Sequence, residues 1–347
     1  MLFAPSKFIC TKNLSMYHSK IIGLGHYVPD QVITNDDMTK MMDTSDEWIT
    51  ERTGIKERRF FVEGKDTTST MGAEAAKMAL KQAGLEAAQM DLVIFSTLSP
   101  DYFFPGAGVL ALRHLGISGM AALDLRAQCA GFIFALSVAD QFIKTGMYKN
   151  VLIICSEIQS TIMEQSTRGR NMAVIFGDGA GAAVVTAHNE SGKGVLSTHM
   201  HGDGNFAEDL YMPHPGAVKK ARLTHEMLED GSMLPHMSGN LVFKHAIVRF
   251  EEAINEALAA NNYTINDVDL LIPHQANLRI SSYIQNKFGL PDSKVYNNIQ
   301  RFGNTTAASI PLAMSEAFQT GAFKEGDLIC LAAFGSGFLW GSSLIRF

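Results

Sequence analysis

The sequence predicts an α/β protein with sheets buried between helices, and three observations carry that expectation. Apolar runs recur at 91–97 (DLVIFST), 150–157 (NVLIICSE), 269–274 (DLLIPH) and 327–335 (DLICLAAFG). A strand covered on both faces needs such a run, whereas a strand with one wet face alternates. The order strand, helix, strand, helix, paired strands also occurs twice, with DLVIFST matching DLLIPH and the region around Gly177 matching that around Gly335. That order indicates a duplicated α/β unit. Finally, 347 residues, 46% of them hydrophobic, supply core for about two domains or two fused halves. We place an irregular extension at 1–18, one half at 19–190 and the other at 191–347.

Composition narrows the function classes. A net charge of −6 with both signs interspersed argues against a nucleic-acid binder, while local basic patches still allow an acidic partner. The four cysteines, Cys10, Cys129, Cys155 and Cys330, form no C-x-x-C pair, so neither a zinc knuckle nor a disulfide framework is expected. A reducing cytoplasm fits that pattern. No apolar run reaches the roughly 18 residues of a membrane span, and the first 20 residues lack the continuous apolar region of a signal peptide. Met16, just before the first strand, is an alternative start.

Taken in order, KIIGLGHYVP from Lys20 reads as a strand. Thr34 or Asn35 then caps one short helix and Thr44 or Ser45 a second. The second carries Trp48 and Arg52 one turn apart. An exposed indole beside arginines suits stacking on a flat ring such as adenine, and it equally suits a groove-filling tryptophan with Arg52 paired to Glu47 or Glu51. A helix over 69–83 ends at Gly84 and leads to the strand at 91–97. Phe103 and Phe104 in the loop SPDYFFPG read either as core plugs or as an aromatic lip.

The segment 121–139 reads as a short buried strand feeding an apolar helix, with Cys129 and Gly131 at the joint. GDGAGAAVVT (177–186) lacks the spacing of a phosphate loop, and Asp178-Gly179 is expected to turn between two strands. His199 and His201 share one side of a strand, but no third metal ligand is placed. Irregular surface loops are expected over 213–238, with the basic cluster Lys219, Lys220 and Arg222. A long helix carrying Lys244 follows over 239–260.

Three residues carry chemistry. A thiol at Cys129 would sit over the positive end of a helix dipole, which lowers a thiol pKa and favours the nucleophilic thiolate. His274 follows an apolar strand and precedes a helix, so its ring emerges at a strand's C-terminal end, where α/β proteins place their sites. Asn304 lies in a Gly-Asn-Thr-Thr turn that opens another helix. Singly, each also serves as a core thiol, a satisfied core histidine or a helix cap. Together they describe a constellation.

QCAGF around Cys129, PHQANLRI around His274, FGNTTAASIP around Asn304, TSDEWITERTGIKERR, FGDGAGA and the terminal AFGSGFLWGSSLIRF resemble the β-ketoacyl-[acyl carrier protein] synthase III family of the thiolase-like superfamily. The likeness runs from about Lys20 to Phe347. It implies the five-layered α-β-α-β-α thiolase fold, a homodimer and no cofactor or metal. Acyl-CoA and malonyl-acyl carrier protein are the implied substrates. By motif position Cys129 would hold the acyl primer, and His274 and Asn304 would donate hydrogen bonds to the malonyl thioester. The backbone N–H groups of Cys129 and Ser336 would form the oxyanion hole, and Phe334 would favour decarboxylation. Trp48, Arg52 and Arg170 would bind CoA. Phe104 would close the partner subunit's acyl pocket, and Lys244 and Arg279 would dock the carrier.

Arg126 and Gln128 replace the small residues common before the nucleophile in housekeeping members, and Ser336 stands where glycine is usual, so primer length is left open. Two other readings follow from the residues: a paralogue that joins longer or unusual acyl groups, and a Cys-His-Asn acyl hydrolase.

Overall fold

Residues 17–347 are described by a computed structural model. Most of the predicted extension, with Met16, lies outside the described residues. The first half runs β1 (His18–Tyr27), β2 (Gln31–Thr34), α1 (Asn35–Thr39), α2 (Asp46–Thr53), β3 (Glu57–Phe60), α3 (Thr68–Ala83), β4 (Leu92–Ser96), α4 (Ala107–His114), β5 (Ala121–Leu125), α5 (Gly131–Lys144), β6 (Asn150–Glu157), α6 (Arg170–Ala173) and β7 (Gly179–His188). Thr34 and Ser45 cap α1 and α2 as expected, each accepting from a backbone N–H in the first turn. Gly84 ends α3 in the left-handed region at φ 66°.

The second half runs β8 (Gly194–Gly202), β9 (Leu210–Tyr211), α7 (His225–Glu229), β10 (His236–Met237), α8 (Gly239–Ala260), β11 (Leu270–Pro273), α9 (Leu278–Phe288), α10 (Ile299–Phe302), α11 (Ser309–Gln319), β12 (Leu328–Gly335) and β13 (Leu339–Arg346). Two sheets dominate, ordered β1-β7-β6-β4-β5 and β8-β13-β12-β11. In the first, β4 is parallel to β5 and β6, and β7 is antiparallel to β6 and β1. In the second, β11 is parallel to β12, and β13 is antiparallel to β12 and β8. Val295 bridges Leu271 in parallel on the far side of β11, where β5 stands in the first sheet. The two sheets therefore share one order, and β4 matches β11 as the two DL-runs predict.

Side-chain alternation explains why those runs are apolar throughout. Ile94, Ile153 and Val185 face inward with Phe132, Ile133 and Leu136 of α5 and Ile310, Ala313 and Met314 of α11. Val93, Phe95, Leu152 and Ile154 face outward onto α3 and α4. In the second sheet Ile272, Ile329 and Leu331 turn inward, while Leu271 and Cys330 meet Phe250 and Ile254 of α8 and Ile284 of α9. The layers read helix, sheet, helix, sheet, helix. Each fully buried leucine or isoleucine contributes roughly 1.5–3 kcal/mol, so α5, with both flanks covered by sheets, is held by its apolar side chains.

Gly131 lets α5 begin at the required depth. A Cβ there would lie 2.2 Å from Ser96 Oγ and 2.9 Å from Ala307 Cβ.

Two expectations are corrected, and one alternative is narrowed. β5 is not buried: it forms the edge of its sheet, and Leu123 is 38% exposed because no described strand lies beyond it. Asp178-Gly179 does not turn between two strands, since α6 precedes it. Asp178 is instead a fully buried anchor, accepting from the backbone N–H groups of Phe61, Gln159 and Ser160 and from the Ser160 hydroxyl. Phe103 and Phe104 are not core plugs, since Phe104 is 79% exposed. The segment 213–238 is largely irregular as expected, with α7 and β10 within it.

Candidate active site

Cys129 sits in the tight turn just before α5, buried against the end of β12. Gly335 makes room for it: a Cβ at 335 would stand 2.6 Å from Cys129 Cβ and 3.0 Å from its Sγ. The expected lowering of the thiol pKa does not occur. Burial pushes it up to about 12 and the charge of Glu157 adds to that, while the backbone N–H groups of Cys129 and Ser336 offset only part. These are the two groups expected to form an oxyanion hole. The Ser336 hydroxyl donates to the Leu210 carbonyl, so serine in place of glycine leaves the backbone donor available.

Cys129, His274, Asn304 and Phe334 line one cavity of about 120 Å³. His274 follows β11, and its backbone N–H donates to the Ala332 carbonyl at 2.8 Å. That bond extends the parallel pairing of β11 and β12 and fixes where the ring emerges. Its Nδ1 lies 2.6 Å from Ser309 Oγ, and its Nε2 is buried without a protein partner. Burial holds the imidazole pKa down to about 3, so the ring is neutral.

Asn304 is fixed by the other half. Its backbone N–H donates to the Ile175 carbonyl at 2.9 Å, and it bridges Phe176 in parallel. Its Oδ1 accepts from the Thr306 N–H at 2.9 Å, which leaves the amide NH2 as the remaining polar end. Gln128 (φ 45°) and Thr306 (φ 46°) both hold left-handed backbone that non-glycine residues rarely adopt. Strain of roughly 1–3 kcal/mol per residue thus sits in the turns that present Cys129 and Asn304.

Sequence reasoning missed Glu157, at the end of β6. It is fully buried and accepts from Thr97 Oγ1 (3.1 Å), Ser99 Oγ (2.6 Å), Leu98 N (3.2 Å) and Gln159 Nε2 (3.1 Å). Gln159 Nε2 also reaches Thr306 Oγ1 at 3.3 Å, tying the carboxylate to the Asn304 turn. The polar residue closing an apolar strand, which singled out His274, would have found Glu157 as well. Burial raises its pKa to about 7 from 4.5. Between those values the folded protein holds a proton that the unfolded chain has released, so stability falls as pH rises from about 4.5 to 7 and is flat above. Glu157→Gln is expected to abolish that slope, so that between pH 4.5 and pH 8 the wild type loses up to about 3 kcal/mol that the variant does not lose. Urea unfolding at pH 5 and pH 8 checks this; parallel pH responses of the two proteins would refute it.

The remaining predicted residues are not in the cavity lining. Trp48 is half-buried, with the Arg52 guanidinium 4.5 Å and that of Arg170 4.9 Å from its ring centre. Arg52 also lies 3.9 Å from Glu51, a weak surface pair. Asn277 lines the cavity and donates to the Arg52 carbonyl at 3.0 Å, linking this cluster to the cavity. Arg279 is exposed on α9 with its guanidinium 5.7 Å from the ring centre of Phe243, another lining residue, and Lys244, the residue after Phe243 on α8, is exposed as well. Phe104 is on its exposed loop, its ring centre 6.3 Å from that of Phe103.

His199 and His201 share Glu256 (3.3 and 2.6 Å), and no group of three or more metal-ligating side chains occurs among the described residues. No described helix is long and apolar enough to cross a membrane.

A buried thiol, a neutral imidazole and a primary amide converging on one cavity can transfer an acyl group and stabilise an enolate. Residues 123–204 match the family described as 3-oxoacyl-[acyl-carrier-protein] synthase III, and residues 258–347 match its C-terminal part. The chain is 45% identical over 330 residues to the β-ketoacyl-[acyl-carrier-protein] synthase III of Escherichia coli (strain K12), covering 95% of this chain and 100% of that protein. Among solved structures, the 3-oxoacyl-[acyl-carrier-protein] synthase III of Aquifex aeolicus is similar at 42% identity and TM-score 0.86, over 95% of this chain and 100% of that one. The corresponding enzyme of Thermus thermophilus is similar at 38% identity and TM-score 0.86, over 94% and 99%. With that extent of identity and a shared fold, the chain belongs to the β-ketoacyl-[acyl-carrier-protein] synthase III family.

Proposed function

We propose that this enzyme is an acyltransferase that starts fatty-acid synthesis by condensing an acyl-CoA primer with malonyl-[acyl carrier protein], releasing CoA and carbon dioxide. The observation that carries the reading is the meeting of Cys129, His274 and Asn304 in one cavity. Cys129 sulfur attacks the acyl-CoA carbonyl, the carbonyl–sulfur bond to CoA breaks, and the thiol proton leaves with CoA. Because burial keeps the resting thiol protonated, proton loss accompanies attack, helped by the N–H groups of Cys129 and Ser336.

The malonyl thioester then replaces CoA. Its carbon–carboxylate bond breaks, carbon dioxide leaves, the electron pair and the charge move into an enolate held by His274 Nε2–H and the Asn304 amide, and the apolar face of Phe334 disfavours the charged carboxylate that precedes it. Enolate carbon attacks acyl-Cys129, forming the new carbon–carbon bond, breaking the carbonyl–sulfur bond and freeing the thiolate, which takes up a proton from water. No cofactor enters these steps.

Trp48 and Arg170 would hold the adenine between them once CoA enters, with Arg52 on the nucleotide end. The present stacking of both guanidiniums on the indole supports that. Lys244 and Arg279 would receive the acidic carrier. The open edge of β5 and the exposed Phe104 support a homodimer in which Phe104 closes the second copy's acyl pocket. The chain divides at 190/191, supported by the repeated strand order. A cytoplasmic location is supported by the three free, buried cysteines among the described residues.

Incubation with acetyl-, medium- and long-chain acyl-CoAs, read by intact-protein mass, tests the first half-reaction. A gain of one acyl group is expected in the wild type and not in Cys129→Ala, followed by 3-oxoacyl product on adding malonyl-[acyl carrier protein]. Loading of long chains alone would favour the paralogue reading, and release of free acid without product would favour a hydrolase.

A further inference from the structure

The turn that carries Asn304 continues to Ser309, whose hydroxyl lies against His274. Resting on the condensation reading above, the geometry points to Ser309 as the positioning residue that fixes the His274 proton on Nε2, making the ring a donor toward the malonyl thioester oxygen.

Ser309 is 1% exposed and opens α11. Its Oγ has two partners: His274 Nδ1 at 2.6 Å and the backbone N–H of Gln275 at 3.4 Å. A backbone N–H only donates, so Oγ accepts from Gln275. The hydroxyl's own proton then has one acceptor among the described residues, His274 Nδ1. With Nδ1 accepting, the single proton of a neutral imidazole stands on Nε2, which is buried and free of protein partners in a residue that lines the cavity.

The opposite tautomer would strand a buried hydroxyl proton and turn a lone pair toward an oxygen that gains negative charge during decarboxylation. A second ring proton does not rescue that arrangement, because burial keeps the imidazole neutral. Asn304 is oriented in the same manner, through the Thr306 N–H. One turn therefore sets the direction of both donors, and a single step along it separates neither from the other.

The test uses full-length protein labelled with 15N-histidine, with His274 assigned by its loss in His274→Ala, and the variants Ser309→Ala and Ser309→Thr. Wild-type His274 is expected to carry its proton on Nε2, a preference lost in Ser309→Ala and kept in Ser309→Thr. Decarboxylation of malonyl-[acyl carrier protein] should fall about 10- to 100-fold in kcat in Ser309→Ala, with KM and acyl loading of Cys129 within about threefold and recovery in Ser309→Thr. A proton on Nδ1 in the wild type, an unchanged decarboxylation rate in Ser309→Ala, or equal loss of both half-reactions would overturn the proposal. Wild-type protein that neither loads acyl groups nor decarboxylates would sink the condensation reading instead, and the tautomer signal would still decide the role of Ser309.

Discussion

Cys129→Ala is expected to keep the fold and to lose acyl transfer by at least about 10³-fold, since in the proposed scheme it removes the covalent nucleophile and leaves only binding and the backbone donors. The substitution removes one sulfur from a site where Gly335 already leaves room, so thermal unfolding should shift little. The same thiol makes a second measurement informative. Its pKa is pushed up to about 12 by burial and by Glu157. Alkylation of Cys129 by iodoacetamide should therefore be slow at pH 8 and rise about tenfold per pH unit up to pH 11. A rate that levels off below pH 8 would mean a standing thiolate, and the account of attack coupled to proton loss would fall.

His274→Ala should separate the two half-reactions. Loss of one preorganised donor costs roughly 2.7–4 kcal/mol in the transition state, so decarboxylation of malonyl-[acyl carrier protein] should slow by about 10²–10³-fold. Acyl loading of Cys129 does not use the Nε2 donor in the proposed scheme and should stay within about fivefold. The pH profile supplies a sign. Burial holds the imidazole at a pKa of about 3, so the wild-type malonyl step should show no inflection from His274 between pH 5 and 9. An inflection near 6.5 that disappears in His274→Ala would show an imidazolium at work and would overturn the neutral-donor assignment.

The strands at 91–97, 150–157 and 327–335 and the helix at 239–260 were legible because a strand covered on both faces, or a helix packed on one stripe, writes its burial into a local pattern. Cys129, His274 and Asn304 were legible as candidates for a different reason: Cys129 and Asn304 each precede a helix, His274 follows an apolar strand, and each stands in a motif that resembles the family's. Ser309 was not, because a serine in TTAASIP gives no sign of which distant ring it will meet. β5 misled because AALDL looks like a covered strand, and edge position is a property of the sheet, not of the five residues. The thiol pKa misled in a similar way. A helix start is visible in sequence, while the depth at which Cys129 lies, and the closeness of the Glu157 carboxylate 28 positions downstream, are not.

The pairing of Asn304 with Phe176, and the interleaving of α5 and α11 between the sheets, also bear on how the chain could be divided. With the proposed division at 190/191, Cys129 falls in one segment and His274 in the other, and the backbone that fixes Asn304 falls in the first. On the proposed site, neither segment would hold a finished site alone. Separately expressed fragments cut between Glu190 and Lys193 would each be inert, and any turnover on mixing would report reassembly of the central helical layer directly. Under the proposed scheme, turnover would thus report whether the two segments have docked.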